Sequence, residues 1–134
     1  MRGKLLATAI SAMLAVSVVA SGCGGGSKAS DEIKIGVVSE MTGSNATYGT
    51  SVVNGMKLAL KEVNDKGGVN GKKVSIVVAD SKSEPAEAAN AMSKLVNQDK
   101  TPVVMGIFTS SSAIAAANVS ESAKVPFLAI GATN

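Results

Sequence analysis

From residue 33 onward the chain alternates between two hydrophobic rhythms. Ile33-Lys34-Ile35-Gly36-Val37-Val38 is a β-branched run and predicts a strand. Ser39 to Tyr48 reads as a polar loop with Gly43 and Asn45 as breakers. Val52, Met56, Ala59 or Leu60, and Val63 then recur at helical spacing, and Gly67-Gly68 stops that helix. Val69-Asn70-Gly71-Lys72 predicts a turn, because Asn-Gly tolerates positive φ. Val74 to Ala79 is a second strand. Ser83-Glu84-Pro85 opens a second helix: a capping hydroxyl, an acid at the positive end and a Pro in the first turn. Its buried stripe is Ala88, Met92, Leu95 and Val96. Val103–Phe108 predicts a third strand, Ser110–Lys124 a third helix and Val125–Ile130 a fourth strand. This β-α-β-α-β-α-β order predicts an α/β fold: a parallel sheet with right-handed crossovers and helices on both faces.

The first thirty residues have a different character. Arg2 and Lys4 precede Leu5–Ala20, which carries no charge, and the small residues Ala20-Ser21-Gly22 follow. That is an export signal; the run is shorter than the about 20 apolar residues a spanning helix needs. Cys23, the chain's single cysteine, comes next. Small residues before a lone Cys resemble a bacterial lipobox, which implies cleavage after residue 22 and a lipidated Cys23 at the new N-terminus. Two or more acyl chains would anchor it stably. Gly24 to Ser30 is a Gly/Ser-rich tether with a reach of roughly 15 Å. The expected organisation is therefore 1–22 signal peptide, 23–31 lipidated Cys and tether, and 32–134 a ligand-binding lobe. The chain leaves its fourth strand at Gly131-Ala132-Thr133-Asn134, where a further element is expected, and so reads as the N-terminal part of a larger fold.

Composition narrows the chemistry. Of 134 residues, 46% are hydrophobic and 17% charged, enough for a core. The absence of His removes His-dependent triads and His-ligated zinc, and one Cys removes thiolate clusters, so no metal is expected. Net charge is +3 overall; without Arg2 and Lys4, 11 basic residues face 10 acidic ones and the balance is +1. With aromatics at 2%, nothing favours a nucleic-acid partner. No Gly-Lys-Ser/Thr phosphate loop, Gly-x-Gly-x-x-Gly turn or Gly-x-Ser-x-Gly elbow is present, so neither a cofactor nor an enzymatic activity is expected. Asp80, ending the second strand, reads better as a loop carboxylate capping Ser81 to Ser83 than as a ribose ligand.

One constellation remains. Thr109-Ser110-Ser111-Ser112 opens the third helix, whose first N–H groups are unpaired and lie at the positive dipole end. Gly131-Ala132-Thr133 leaves the fourth strand at the same sheet edge. Donors on one loop and acceptors on the next describe a site for a zwitterion; helix capping by the Ser cluster is the plainer alternative.

The stretch Ile33 to Asn134 carries a series of short words: Ile35-Gly36-Val37-Val38 with Met41-Thr42-Gly43, Tyr48-Gly49, Asn54-Gly55-Met56, and Val63-Asn64-Asp65-Lys66-Gly67-Gly68-Val69-Asn70-Gly71-Lys72. They continue with Asp80, Glu84-Pro85, Gly106 before Ser110-Ser111-Ser112, Val125-Pro126-Phe127 and Ala132-Thr133-Asn134. In this order and spacing the stretch resembles the first lobe of the periplasmic-binding-protein type I family, close to the leucine/isoleucine/valine-binding proteins. The resemblance implies an extracytoplasmic receptor of an ABC importer, lipid-anchored at the cell membrane in the form usual for Gram-positive bacteria. Its expected partners are a free amino acid, branched-chain first, the ABC permease subunits and the membrane. By position, the resemblance gives Ser110 and Thr133 to the ligand's carboxylate, the Gly131 carbonyl to its ammonium and Tyr48 to the pocket wall. A lipid-anchored sensing module of the same fold, or a receptor for amides or urea, is the alternative.

Overall fold

The computed structural model describes residues 32–133. The expected signal, Cys23 and the tether lie outside the described residues. Seven elements follow in the predicted order: β1 Glu32–Ser39, α1 Ala46–Asp65, β2 Lys73–Asp80, α2 Pro85–Asn97, β3 Val104–Gly106, α3 Ser110–Ala123 and β4 Phe127–Ala129. The four strands form one sheet in the order β2-β1-β3-β4, every pair parallel. The chain moves from β1 to β2 on one side, then crosses back to β3 on the other. With right-handed crossovers that reversal puts α1 on one face and α2 with α3 on the opposite face. The packing agrees: α1 rests on β1 and β2, whereas α2 and α3 pack on each other.

The core lies under α2 and α3. Val38, Ala79 and Val104 from the sheet meet Ala88, Met92, Leu95 and Val96 of α2, the predicted stripe, and Ala113 and Ala116 of α3. Gly36 belongs to this face and has to be glycine: a Cβ there would sit 2.7 Å from Thr101 Oγ1 and 2.9 Å from Val104 Cγ2. The other face is only half covered. Leu128, one register step from Phe127 and therefore on the α1 side, is 57% exposed.

Several boundaries differ from the sequence reading, each for a local reason. Helix α1 begins at Ala46, so Tyr48 lies in its first turn rather than in the preceding loop. The Asn45 carbonyl accepts from the Tyr48 and Gly49 amides, and Gly49 lets the helix close onto the Glu40 backbone, where a Cβ would be 2.1 Å from the Glu40 carbonyl O. The fully buried α1 positions are Gly49 and Val53, with Val52, Met56 and Leu60 half-buried and Val63 exposed. Ser83 does not cap α2. Its hydroxyl donates to the Thr42 carbonyl (2.8 Å) and accepts from the Asn45 amide (3.0 Å), and Glu84 occupies the N-cap without a side-chain bond. Strand β3 ends at Gly106, short of Phe108, because Gly106 (φ 121°) and Ile107 (φ 59°) turn the chain sharply. The Asn70-Gly71 turn forms as read, both residues at positive φ.

Candidate functional site

In an open α/β sheet the crevice lies outside the carboxyl ends of the strands where the winding direction reverses. Here that point falls between β1 and β3, and three segments line it: Glu40–Asn45, Ile107–Thr109 and Ile130–Thr133.

The turn after β3 sets the geometry. Gly106 approaches the Val38 carbonyl so closely that a Cβ would be 2.1 Å from it, and the Ile107 amide donates to that same oxygen at 2.9 Å. Ile107 is a β-branched residue in the left-handed region, held there by burial and by this bond. The kink throws Phe108 outward and starts α3 at Ser110.

Glu40, the first residue after β1, is fully buried at 0% exposure. The Phe108 amide donates to its Oε1 (3.1 Å) and Oε2 (3.2 Å), and the Thr109 amide and hydroxyl both donate to Oε1 at 3.2 Å. An acidic side chain therefore fills the space ahead of α3 and staples the end of β1 to the end of β3. Sequence reasoning missed it. The only signal was an acid directly following an apolar strand.

The Ser cluster separates into three fates. Ser110 Oγ accepts from the Thr133 amide at 3.3 Å. Ser111 is exposed, and Ser112 is buried with no partner for its hydroxyl among the described residues. No side-chain hydroxyl caps α3, since the N-cap Thr109 turns its hydroxyl to Glu40. The amides of Ser110, Ser111 and Ser112 precede the first helical bond, from the Ala113 amide to the Thr109 carbonyl, and so stand free of intrahelical acceptors.

Phe108 joins the remaining residues. Its ring stacks on Tyr48 with centroids 4.5 Å apart and planes 4° from parallel. Gly131 lies against the same residue: a Cβ there would meet Phe108 Cδ2 at 2.5 Å. The Gly131 amide donates to the Ile107 carbonyl at 3.3 Å, tying the exit of β4 to the exit of β3. Tyr48, Ser110, Gly131 and Thr133 thus gather on one rim, with Phe108 between them.

Asp80 has a structural job beside this rim. Its Oδ1 accepts from the Met41, Thr42 and Lys82 amides, and its Oδ2 from the Thr42 hydroxyl at 2.6 Å. Partial burial works to raise its pKa, but the Thr42 hydroxyl and the three amides outweigh that and hold it below the ordinary 3.8. The expected caps on Ser81 to Ser83 reduce to the Lys82 amide; the larger role is to fix the loop after β1. Among the described residues, no group of three acidic or Cys side chains is placed to hold a metal, and no helix is long and apolar enough to cross a membrane.

Residues 32–134 match the family described as periplasmic binding protein. The chain is 35% identical to the "Amino acid binding protein" of Pseudomonas aeruginosa, over 99% of its own length and 33% of that protein's. It resembles the branched-chain amino acid transporter substrate-binding protein LivJ of Streptococcus pneumoniae, solved with isoleucine: 43% identity, TM-score 0.75, covering 77% of this chain and 30% of that one. A solute-binding protein of an ABC transporter from Rhodopseudomonas palustris, solved with 3,4-dihydroxybenzoic acid, is similar at 32% identity and TM-score 0.70, covering 76% and 28%. The chain thus spans about a third of the length of these relatives.

Proposed function

Because the chain belongs to the periplasmic binding protein family, we propose that it supplies the first lobe of an extracytoplasmic receptor that delivers amino acids, branched-chain ones first, to an ABC importer. The carrying observation is the pairing of Ser110 Oγ with the Thr133 amide at the switch point. A ligand carboxylate entering there meets the free amides at the start of α3 together with two hydroxyls. The Gly131 carbonyl, on the same rim, accepts from the ligand's ammonium. The Tyr48–Phe108 stack provides an apolar wall for the side chain. A second lobe closing over this rim would exclude water and strengthen each of these contacts. The permease subunits are the partners of the closed form, and a lipidated Cys23 holds the receptor at the outer face of the membrane.

The test is a pair of ligands that differ only in the carboxylate. Ser110→Ala in the intact protein should weaken leucine binding by about 1.5–3 kcal/mol, the value of a hydrogen bond to a charged group. Leucinamide, which has no carboxylate, should lose much less. Titration calorimetry on both ligands decides it: an equal loss, or none for either, returns Ser110 to a purely structural role.

A further inference from the structure

The buried Glu40 carboxylate has no part in the proposed binding contacts. Glu40 is wholly out of solvent, yet among the described residues no ion pair includes it; the three present join Lys61 to Asp65, Lys82 to Glu87 and Lys94 to Asp99. Its partners are two amides and one hydroxyl, donors that carry only partial charge. A buried carboxylate balanced by dipoles alone leaves a negative potential in its surroundings. The crevice lies next to it, because the Thr109 amide and hydroxyl that Glu40 engages belong to the residue directly before Ser110.

We propose that Glu40 is a specificity-determining residue: its carboxylate takes the anion position ahead of α3 and makes the crevice demand a positive charge alongside any carboxylate it accepts. This rests on the proposed function, that the rim of Ser110 and Thr133 receives a carboxylate. Two physical effects act together. The positive end of α3 is already met by Glu40, so less of its attraction is left for a second anion. A simple carboxylate also brings a like charge into a poorly screened crevice, whereas a zwitterion carries its own compensation. The ligand class is therefore zwitterionic amino acids, not plain carboxylic acids of the same shape.

Three probes with the same branched apolar chain test this on the intact protein: leucine, 4-methylpentanoate (no ammonium) and 3-methylbutylamine (no carboxylate). Calorimetry on the wild type should give leucine as the tightest and 4-methylpentanoate as the weakest. Glu40→Gln keeps size and an acceptor oxygen while removing the charge, and it should lower the ratio of the 4-methylpentanoate Kd to the leucine Kd at least tenfold. A purely structural role would leave that ratio fixed, since both ligands share the same apolar contacts. A shift below tenfold in a folded variant overturns the proposal. Should Glu40→Gln not fold, the wild-type order decides, and tighter binding of 4-methylpentanoate than of 3-methylbutylamine overturns it. Binding of none of the three is a different result: it defeats the amino-acid reading itself and this proposal with it.

Discussion

Replacing Gly131 by Ala probes how tightly the rim is assembled. The new Cβ would lie 2.5 Å from Phe108 Cδ2 and 2.9 Å from both the Phe108 Cα and its carbonyl oxygen. Turning the ring relieves only the first contact, because the other two are backbone. It also gives up the stack on Tyr48, worth about 0.5–1.5 kcal/mol. The alternative is for Ile130–Thr133 to move outward. That stretches the Gly131–Ile107 and Thr133–Ser110 hydrogen bonds, both already 3.3 Å. Either route should cost about 1–3 kcal/mol, the usual penalty for forcing a methyl into a filled space. Gly55 is the internal control. It lies in the middle of α1 with nothing within 4 Å of an added Cβ, so Gly55→Ala should stabilise by about 0.5–1 kcal/mol. Urea denaturation of wild type and both variants, compared at equal slope, measures the two signs. Tyr48 is the chain's single tyrosine, so its ring-proton shifts report whether the stack survives. A Gly131→Ala protein within about 0.5 kcal/mol of wild type, with Tyr48 shifts unchanged, would refute the argument.

Two further outcomes follow, one from the loop beside the rim and one from the leader read in the sequence. Asp80→Asn should cost about 1 kcal/mol at neutral pH, since these bonds to a charged group are largely exposed. The folded pKa of Asp80 is depressed, so its contribution is present above the ordinary carboxylate value and fades as pH falls through the lower folded value. The gap between wild type and variant in denaturation should therefore hold from about pH 5 upward and narrow below about pH 4; a gap that widens in acid contradicts this. Cys23→Ala should give a product that carries no acyl mass, whereas wild type carries it and partitions into detergent; equal intact masses apart from the side chain would remove the lipid anchor.

The alternation of strand and helix was legible because each element carries its own period. Ala88, Met92, Leu95 and Val96 stand out as a buried stripe from their spacing alone, since the side of α2 that faces the sheet is apolar. Helix α1 was harder to read. It covers only β1 and β2, so its apolar positions are half-buried and its start is set by the fit of Gly49 against Glu40, a contact with no signature in the local pattern. The site divides the same way. Ser110 and Thr133 could be placed from the ends of their elements, and the structure brings them together. Glu40 and Phe108 could not, because their roles depend on the Gly106–Ile107 kink. Periodicity predicts a strand running through to Phe108 and gives no sign that a β-branched residue there adopts positive φ.

The strand order also bears on when this chain can fold. β1 is the first strand made and sits inside the sheet, with Gly36 paired to Val77 on one side and to Val104 on the other. Its second edge stays open until a segment far along the chain has emerged, and such distant parallel pairings form slowly. An early-made central strand that must wait for late partners delays the native sheet. Were the chain exported as its leader implies, such a delay would leave it unfolded, and so able to cross a membrane, for longer.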